Sequence, residues 1–137
     1  TRKGDIVLLI ADVRDWLQTL DPAIQDQIAC GAIDGSAERF IGVYGDDADE
    51  PARLCLGGAS QTRMQTRRVK LLVHWTAVPT DAERKAADLW ALLRGASGTA
   101  GGIRIVSVDP GAAPIPVGRD DRGICEYVIR AKIIYEE

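Results

Sequence analysis

His74 is the single histidine of this 137-residue chain, and it stands in an apolar run beside Trp75. An imidazole can serve as a general base or ligate a metal. With no second histidine, a zinc site would have to recruit scattered cysteines and carboxylates, so a structural or interface role is the simpler reading. Asp46, Asp47, Asp49 and Glu50 gather enough oxygen to suggest calcium. They lack the ligand spacing and sixth-position glycine of an EF-hand loop, and they read as a solvated acidic loop. Neither Gly57-Gly58-Ala59-Ser60 nor the glycine-rich run at 98–102 has the Lys-Ser/Thr pair of a phosphate loop or a dinucleotide fingerprint. No G-x-S-x-G elbow is present, and no Ser/His/Asp triad can be built by motif. Cys30, Cys55 and Cys125 include no C-x-x-C pair, and Cys125 reads as a small buried hydrophobe. The expectation is a chain with no catalytic centre, no cofactor and no metal.

Charge is the other candidate chemistry. Arg63, Arg67, Arg68 and Lys70 form a basic group with no interleaved aromatics, so stacking on nucleic-acid bases is unsupported. It suits an acidic partner better, such as the 46–50 stretch of a neighbouring copy. Arg119-Asp120-Asp121-Arg122 forms a second charged cluster, a turn that delivers the chain into its last strand. The candidate subunit or partner contacts are therefore Asp46, Asp47, Arg63, Arg67, Arg68, Arg119, Asp120, Asp121 and Arg122.

The elements that must position these groups are organised around residues 123–136. Cys125, Tyr127, Ile129, Ala131, Ile133 and Tyr135 alternate with Glu126, Arg130, Lys132 and Glu136, a period of two that marks a long strand with one buried face. At about 3.3 Å per residue it would run about 40 Å, long enough to carry a sheet and reach a neighbouring subunit. Residues 5–20 read as an amphipathic helix on Ile6, Leu9, Ile10, Val13, Leu17 and Leu20, with Asp5 as N-cap and Asp21-Pro22 ending the run. Strands at 28–33 and 39–44 read as a hairpin around Asp34-Gly35. Residues 45–68 look irregular, apart from an island at Leu54-Cys55-Leu56, and a loop of that length is often functional. The apolar run 69–76 suggests a central strand. Thr80 and Glu83 form a capping box for a helix through Leu93, with Gly95 just past its end. Gly101-Gly102 opens a strand over 103–108, and three prolines make 109–118 an extended connection rather than a ladder strand.

This order predicts one α+β domain over 1–137, with a mainly antiparallel or mixed sheet and two helices packed on one face. One strand-to-strand step through the second helix permits a right-handed parallel crossover. The composition, 46% hydrophobic and 27% charged, is that of a soluble globular chain. A net charge of -3 leaves no bulk electrostatic footprint for nucleic acid. No apolar run approaches the roughly 20 residues of a membrane span, no stretch reads as a signal peptide, and the cysteine usage suits a reducing cytoplasm.

Gly31-Ala32-Ile33-Asp34, Ile41-Gly42-Val43-Tyr44, Leu56-Gly57-Gly58, Leu71-Leu72-Val73-His74-Trp75 and the run from Val117 to Ile129 occur in a distinctive order and spacing. With them the chain resembles, from about residue 31 to 135, the minor capsid protein family of tailed bacteriophages and prophages. That family usually has a more acidic turn before the last strand, whereas Arg119 and Arg122 flank the aspartates here. Proteins of this kind are similar in size and element order to tail terminators. The resemblance implies a virion protein of the head–tail junction, assembled in the host cytoplasm. It would form a homohexameric ring that caps the tail tube, meets the tail tube protein and the head–tail connector, and lets genomic DNA only pass through. Another neck or head-completion protein, or a small ligand-binding or enzymatic domain around His74, are the alternatives.

Overall fold

The computed structural model describes residues 7–31, 38–46 and 64–136. In chain order these form α1 (Ile10–Leu20), a 3-10 turn (Pro22–Ile24), β1 (Ile28–Cys30), β2 (Arg39–Gly45), β3 (Met64–Trp75), α2 (Pro79–Leu93), β4 (Gly98–Ala100), β5 (Ile103–Asp109), β6 (Ile115–Arg119) and β7 (Cys125–Glu136). The fold is α+β, and its seven-stranded sheet runs β1-β2-β3-β7-β5-β4, with β6 also paired to β7.

The period-two reading of the last strand holds over its full length. β7 lies antiparallel to β3, with pairs running from Met64↔Glu136 to His74↔Glu126. Side chains alternate between the two faces of a strand, so paired residues point the same way. Val69, Leu71 and Val73 of β3, with Ile129, Ala131, Ile133 and Tyr135 of β7, face inward and are buried. Ile41 and Val43 of β2 extend this inner face, since they pair with Val73 and Leu71.

Both helices cover the inner face. α2 buries Ala82, Ala86, Leu89 and Leu93, a three- and four-residue spacing, against β3 and β7. α1 touches β1 and β2 at one end of the strand order and β4 at the other, so the sheet curls around it. Trp16, 2% exposed, is the residue that the curl closes upon: a Cβ at Gly98 in β4 would lie 3.2 Å from its Nε1. The Lys85 ammonium ties the helices together through a 2.8 Å ion pair with Asp21. It also lies 4.9 Å from the centre of the Trp75 ring, on whose π-face a cation is favoured.

Several sequence expectations are corrected. α1 starts at Ile10, because Leu8 drops fully into the core while Leu9 stays 57% exposed. The Asp12 carboxylate then accepts from the Leu9 N–H at 3.1 Å, holding the first turn from within. Asp5, the expected N-cap, lies outside the described residues. β1 and β2 are parallel rather than a hairpin. β1 is three residues long, so the return path is only about 10 Å, and the eight residues between the strands reach that far. Asp34 and Gly35 themselves lie outside the described residues, as do Leu54 to Leu56.

α2 starts at Pro79, whose ring presets the dihedral of a first helical residue, so Thr80 falls inside the helix and is not its N-cap. β3 begins at Met64, five residues earlier than the apolar pattern suggests. Its backbone pairs with β7 whatever the side chains, and the polar stretch from Gln65 to Arg68 hides that. β6 is a ladder strand despite Pro116, which an edge strand tolerates, and a register shift between Pro116 and Gly118 accommodates it. Thr99, Ala100, Gly101, Gly102 and Ile103 carried a hairpin signal of their own. β4 and β5 are joined by the two glycines, both at positive φ (+56° and +79°), as a type I′ turn requires.

Among the described residues no helix is long and apolar enough to cross a membrane. The β4–β5 turn docks on the first turn of α1, where a Cβ at Gly101 would collide with the Asp12 carboxylate, whereas one at Gly102 meets open space. Gly101→Ala should cost about 2–3 kcal/mol in a urea melt and Gly102→Ala about 1–2, the difference being the lost docking. Equal losses for the two variants would show that the contact with Asp12 carries no stability.

Candidate functional site

Two charged constellations sit on the outer face of the sheet or at its end. The first is built around His74. Its even position in β3 points it away from the helices, yet it is 2% exposed, because the β6–β7 turn folds over it. Its cross-strand partner Glu126 places Oε2 3.2 Å from Nδ1, and Asp120 places Oδ2 3.5 Å from Nε2. The second distance is long for a hydrogen bond, so that contact is chiefly electrostatic. Neither ring nitrogen faces open solvent.

The turn is rigid because Asp120 organises it. Asp120 Oδ1 accepts from the backbone N–H groups of Arg122 and Ile124, each at 2.9 Å. The Asp120 N–H donates to the Ile124 carbonyl, and the Gly123 N–H donates to the Asp120 carbonyl, both at 3.0 Å. Gly123 takes φ +82°, open only to a residue that tolerates the left-handed region. Arg119 Nη1 donates to the Gly123 carbonyl at 3.0 Å, and Arg122 Nε lies 3.9 Å from the Asp120 carboxylate. Asp121 is exposed at the tip. Next to the turn, Thr76 has φ +46°, a costly conformation for a β-branched residue. Three bonds hold it there: Thr76 Oγ1 to Glu38 Oε1 at 2.8 Å, its N–H to the Glu38 carbonyl at 3.1 Å, and its carbonyl to the Cys125 N–H at 3.0 Å.

The second constellation centres on Arg130. Its guanidinium grips the Asp46 carboxylate with two prongs, Nε–Oδ2 at 2.9 Å and Nη2–Oδ1 at 3.2 Å. The hydrogen bond and the charge of Asp46 raise the Arg130 pKa further above its ordinary value. The Asp46 backbone N–H donates to the Arg68 carbonyl at 3.1 Å, so the pair spans β3. A depression of roughly 400 Å³ opens beside it, lined by Arg68, Arg130, Lys132, Ala113, Ile115 and Val128 among others.

The structure thus divides the residues singled out from the sequence. Arg119, Asp120, Asp121 and Arg122 stay together at the His74 end. Asp46 and Arg68 meet on the outer face, and the Asp46 carboxylate is engaged within its own chain. Arg67 points to the inner side, where a Cβ at Gly45 would lie 3.1 Å from its Nη2. Asp47 and Arg63 lie outside the described residues. Glu126, Arg130 and Lys132 were missed as site residues, although their alternation with apolar residues along β7 carried the signal. Cys30 and Cys125 are free thiols, and Cys125 is buried. Among the described residues no three or more His, Cys, Asp or Glu side chains gather in a way that could hold a metal ion.

No protein-family model and no curated protein matches the chain. One solved structure aligns over 92% of this chain and 87% of its own, at 19% identity and a TM-score of 0.42, a likeness too weak to carry an argument.

Burial raises the Asp120 pKa, but the N–H groups of Ile124 and Arg122, with the charges of His74 and Arg122, outweigh it and hold the carboxyl below its ordinary value. A depressed carboxylate contributes stability above the unfolded pKa and loses it as the pH falls through the folded one. Asp120→Asn should therefore lower the melting temperature at neutral pH, with the gap to the parent protein narrowing as the pH drops through the carboxylate range. A gap that stays constant with pH would mean that the ionised carboxylate plays no part.

Proposed function

We propose that this chain is a virion structural protein, a tail terminator of a bacteriophage head–tail junction that assembles as a homohexameric ring. The order of sequence elements that resembles the minor capsid family supports this reading, and an α+β frame with both helices on one face is compatible with it. The observation that carries it is β6. All five of its residues are exposed, it pairs with β7 alone, and its other edge has no strand partner among the described residues. Ile115 and Val117 on it are 49% and 52% exposed. An unpaired, apolar edge is a template for another chain. Contacts between unlike surfaces close into a ring when the rotation allows and otherwise run on as a filament. One rim of such a ring would meet the tail tube protein and the other the head–tail connector. With a net charge of -3, the subunit favours passage of DNA over retention of its phosphates.

Light scattering over a concentration series tests the ring directly. The expected species has a mass of about 89 kDa, six times 14.8 kDa, and does not grow with concentration. Ile115→Lys combined with Val117→Glu should shift it to a monomer that still unfolds cooperatively, because both side chains are exposed. A variant that keeps the hexamer would remove β6 as the contact. Addition to purified tail tubes separates the terminator from other neck proteins, since only a terminator stops tube growth.

A further inference from the structure

We propose that the hollow at the C-terminal end of α2 is a docking site for an uncharged, proline-containing peptide segment of a partner protein, one of whose backbone carbonyls accepts from the Trp90 indole N–H. The site goes beyond the ring reading and does not depend on it. The Arg94 N–H donates to the Trp90 carbonyl at 3.1 Å, so the two residues stand one helical turn apart and share a face. The Arg94 guanidinium lies 5.6 Å from the centre of the Trp90 ring. Opposite them β5 ends, and the chain turns away from the ladder through Pro110 and Gly111. Between the two lies a hollow of roughly 480 Å³, lined by Trp90, Arg94, Val108, Asp109, Pro110 and Gly111. That size suits a few residues of an extended segment. The far wall is fixed. Val108 and Pro110 are buried, and the Gly111 N–H donates to Asp109 Oδ1 at 2.9 Å. A Cβ at Gly111 would lie 3.3 Å from the Arg130 carbonyl oxygen, so this turn is seated closely on β7.

The chemistry of the hollow selects its occupant. Trp90 Nε1 is buried and has no hydrogen-bond partner among the described residues, a costly state that most buried donors avoid. Such a donor gains from an acceptor that a ligand brings with it. Arg94 is exposed, and its side chain is the movable wall whose shift admits that acceptor. Arg94 and Asp109 together leave the lining without net charge, and Asp109 would repel a carboxylate or phosphate. A neutral backbone carbonyl meets no such penalty. The indole of Trp90 and the ring of Pro110 then offer apolar walls for the body of the ligand. Proline fits between them because it has no N–H to strand in an apolar site. A proline-containing segment is also preset in an extended polyproline II form, so it has little conformational freedom left to lose on docking to an aromatic-lined groove.

The test uses the whole protein, isotope-labelled at the indole nitrogens of its three tryptophans and read by NMR while a capped hexaproline peptide is added. The Trp90 signal, identified by its loss in Trp90→Phe, is expected to move saturably and downfield, as on gaining a hydrogen bond. The signals of Trp16 and Trp75 should stay fixed. Arg94→Ala, a change at an exposed residue beside the ring, identifies the same signal by moving it if Trp90→Phe fails to fold. Trp90→Phe keeps an aromatic ring and removes the N–H, so the peptide should bind it about tenfold more weakly. A Trp90 signal that the peptide leaves unmoved, or equal binding by a folded Trp90→Phe, overturns the proposal. A stronger response to acetate than to the peptide also overturns it, since the acceptor would then be an anion. So does a Trp90 shift that appears on raising the protein concentration alone and is lost in Pro114→Ala combined with Pro116→Ala, because the occupant would then be a second copy.

Discussion

The pairing of β3 with β7 is the constraint on which the rest of the structure depends. It fixes which side chains of both strands face the helices, and every other strand is placed relative to it. β2 lies along the far edge of β3, and β5 and β6 share the far edge of β7. A slip of either strand by one residue would turn its own cations, Arg68 and Lys70 of β3 or Arg130 and Lys132 of β7, under the helices and push Leu71 or Ile129 out. Carrying two charges from the outer face into the core is prohibitive, so these cations also lock the register.

The two ends of the ladder are treated differently. At His74 the sheet is closed by a compact polar knot: the Asp120 turn, Glu126, and Thr76 strained but held by Glu38 and Cys125. A strained residue persists where its surroundings over-determine it, and this end has the bonds to do so. Toward Arg68 and Lys132 the same face carries half-buried charge and the interrupted edge between β5 and β6. Rigidity is concentrated where the turn must be held, and open chemistry where β7 loses its neighbour for a few residues.

Much of the fold was legible because it rests on periodicity. The alternation along β7, the apolar run of β3 and the helix ending before Gly95 each follow from local side-chain pattern. What was not legible depends on pairing, which local pattern does not encode. The polar start of β3 reads as loop until β7 is known to lie beside it. The parallel sense of β1 and β2 is permitted, not dictated, by how short β1 is. Pro116 argues against a strand only where a partner needs its N–H. The site was legible in composition but not in arrangement. The sequence marks Arg68, Asp120 and Arg122 as charged candidates. Only the register sets Arg68 against Lys132, and only the fold brings Asp120 and Glu126, remote in sequence from His74, onto the two sides of its ring.

The long ladder also has a consequence for how the chain reaches its native state. Paired residues are separated by 52 positions at the His74↔Glu126 end. At the Met64↔Glu136 end the separation is 136 minus 64, or 72. Such distant contacts form late, because a long loop must close before they return any stability. During that interval β3 can pair with β2 on one side, while its other edge, twelve residues long, waits without a partner. An edge of that length invites another nascent chain. Arg67, Arg68 and Lys70 make it an unattractive template, since an identical strand laid beside it would oppose cation to cation. The charge written into β3 thus guards the chain against its own copies until β7 arrives.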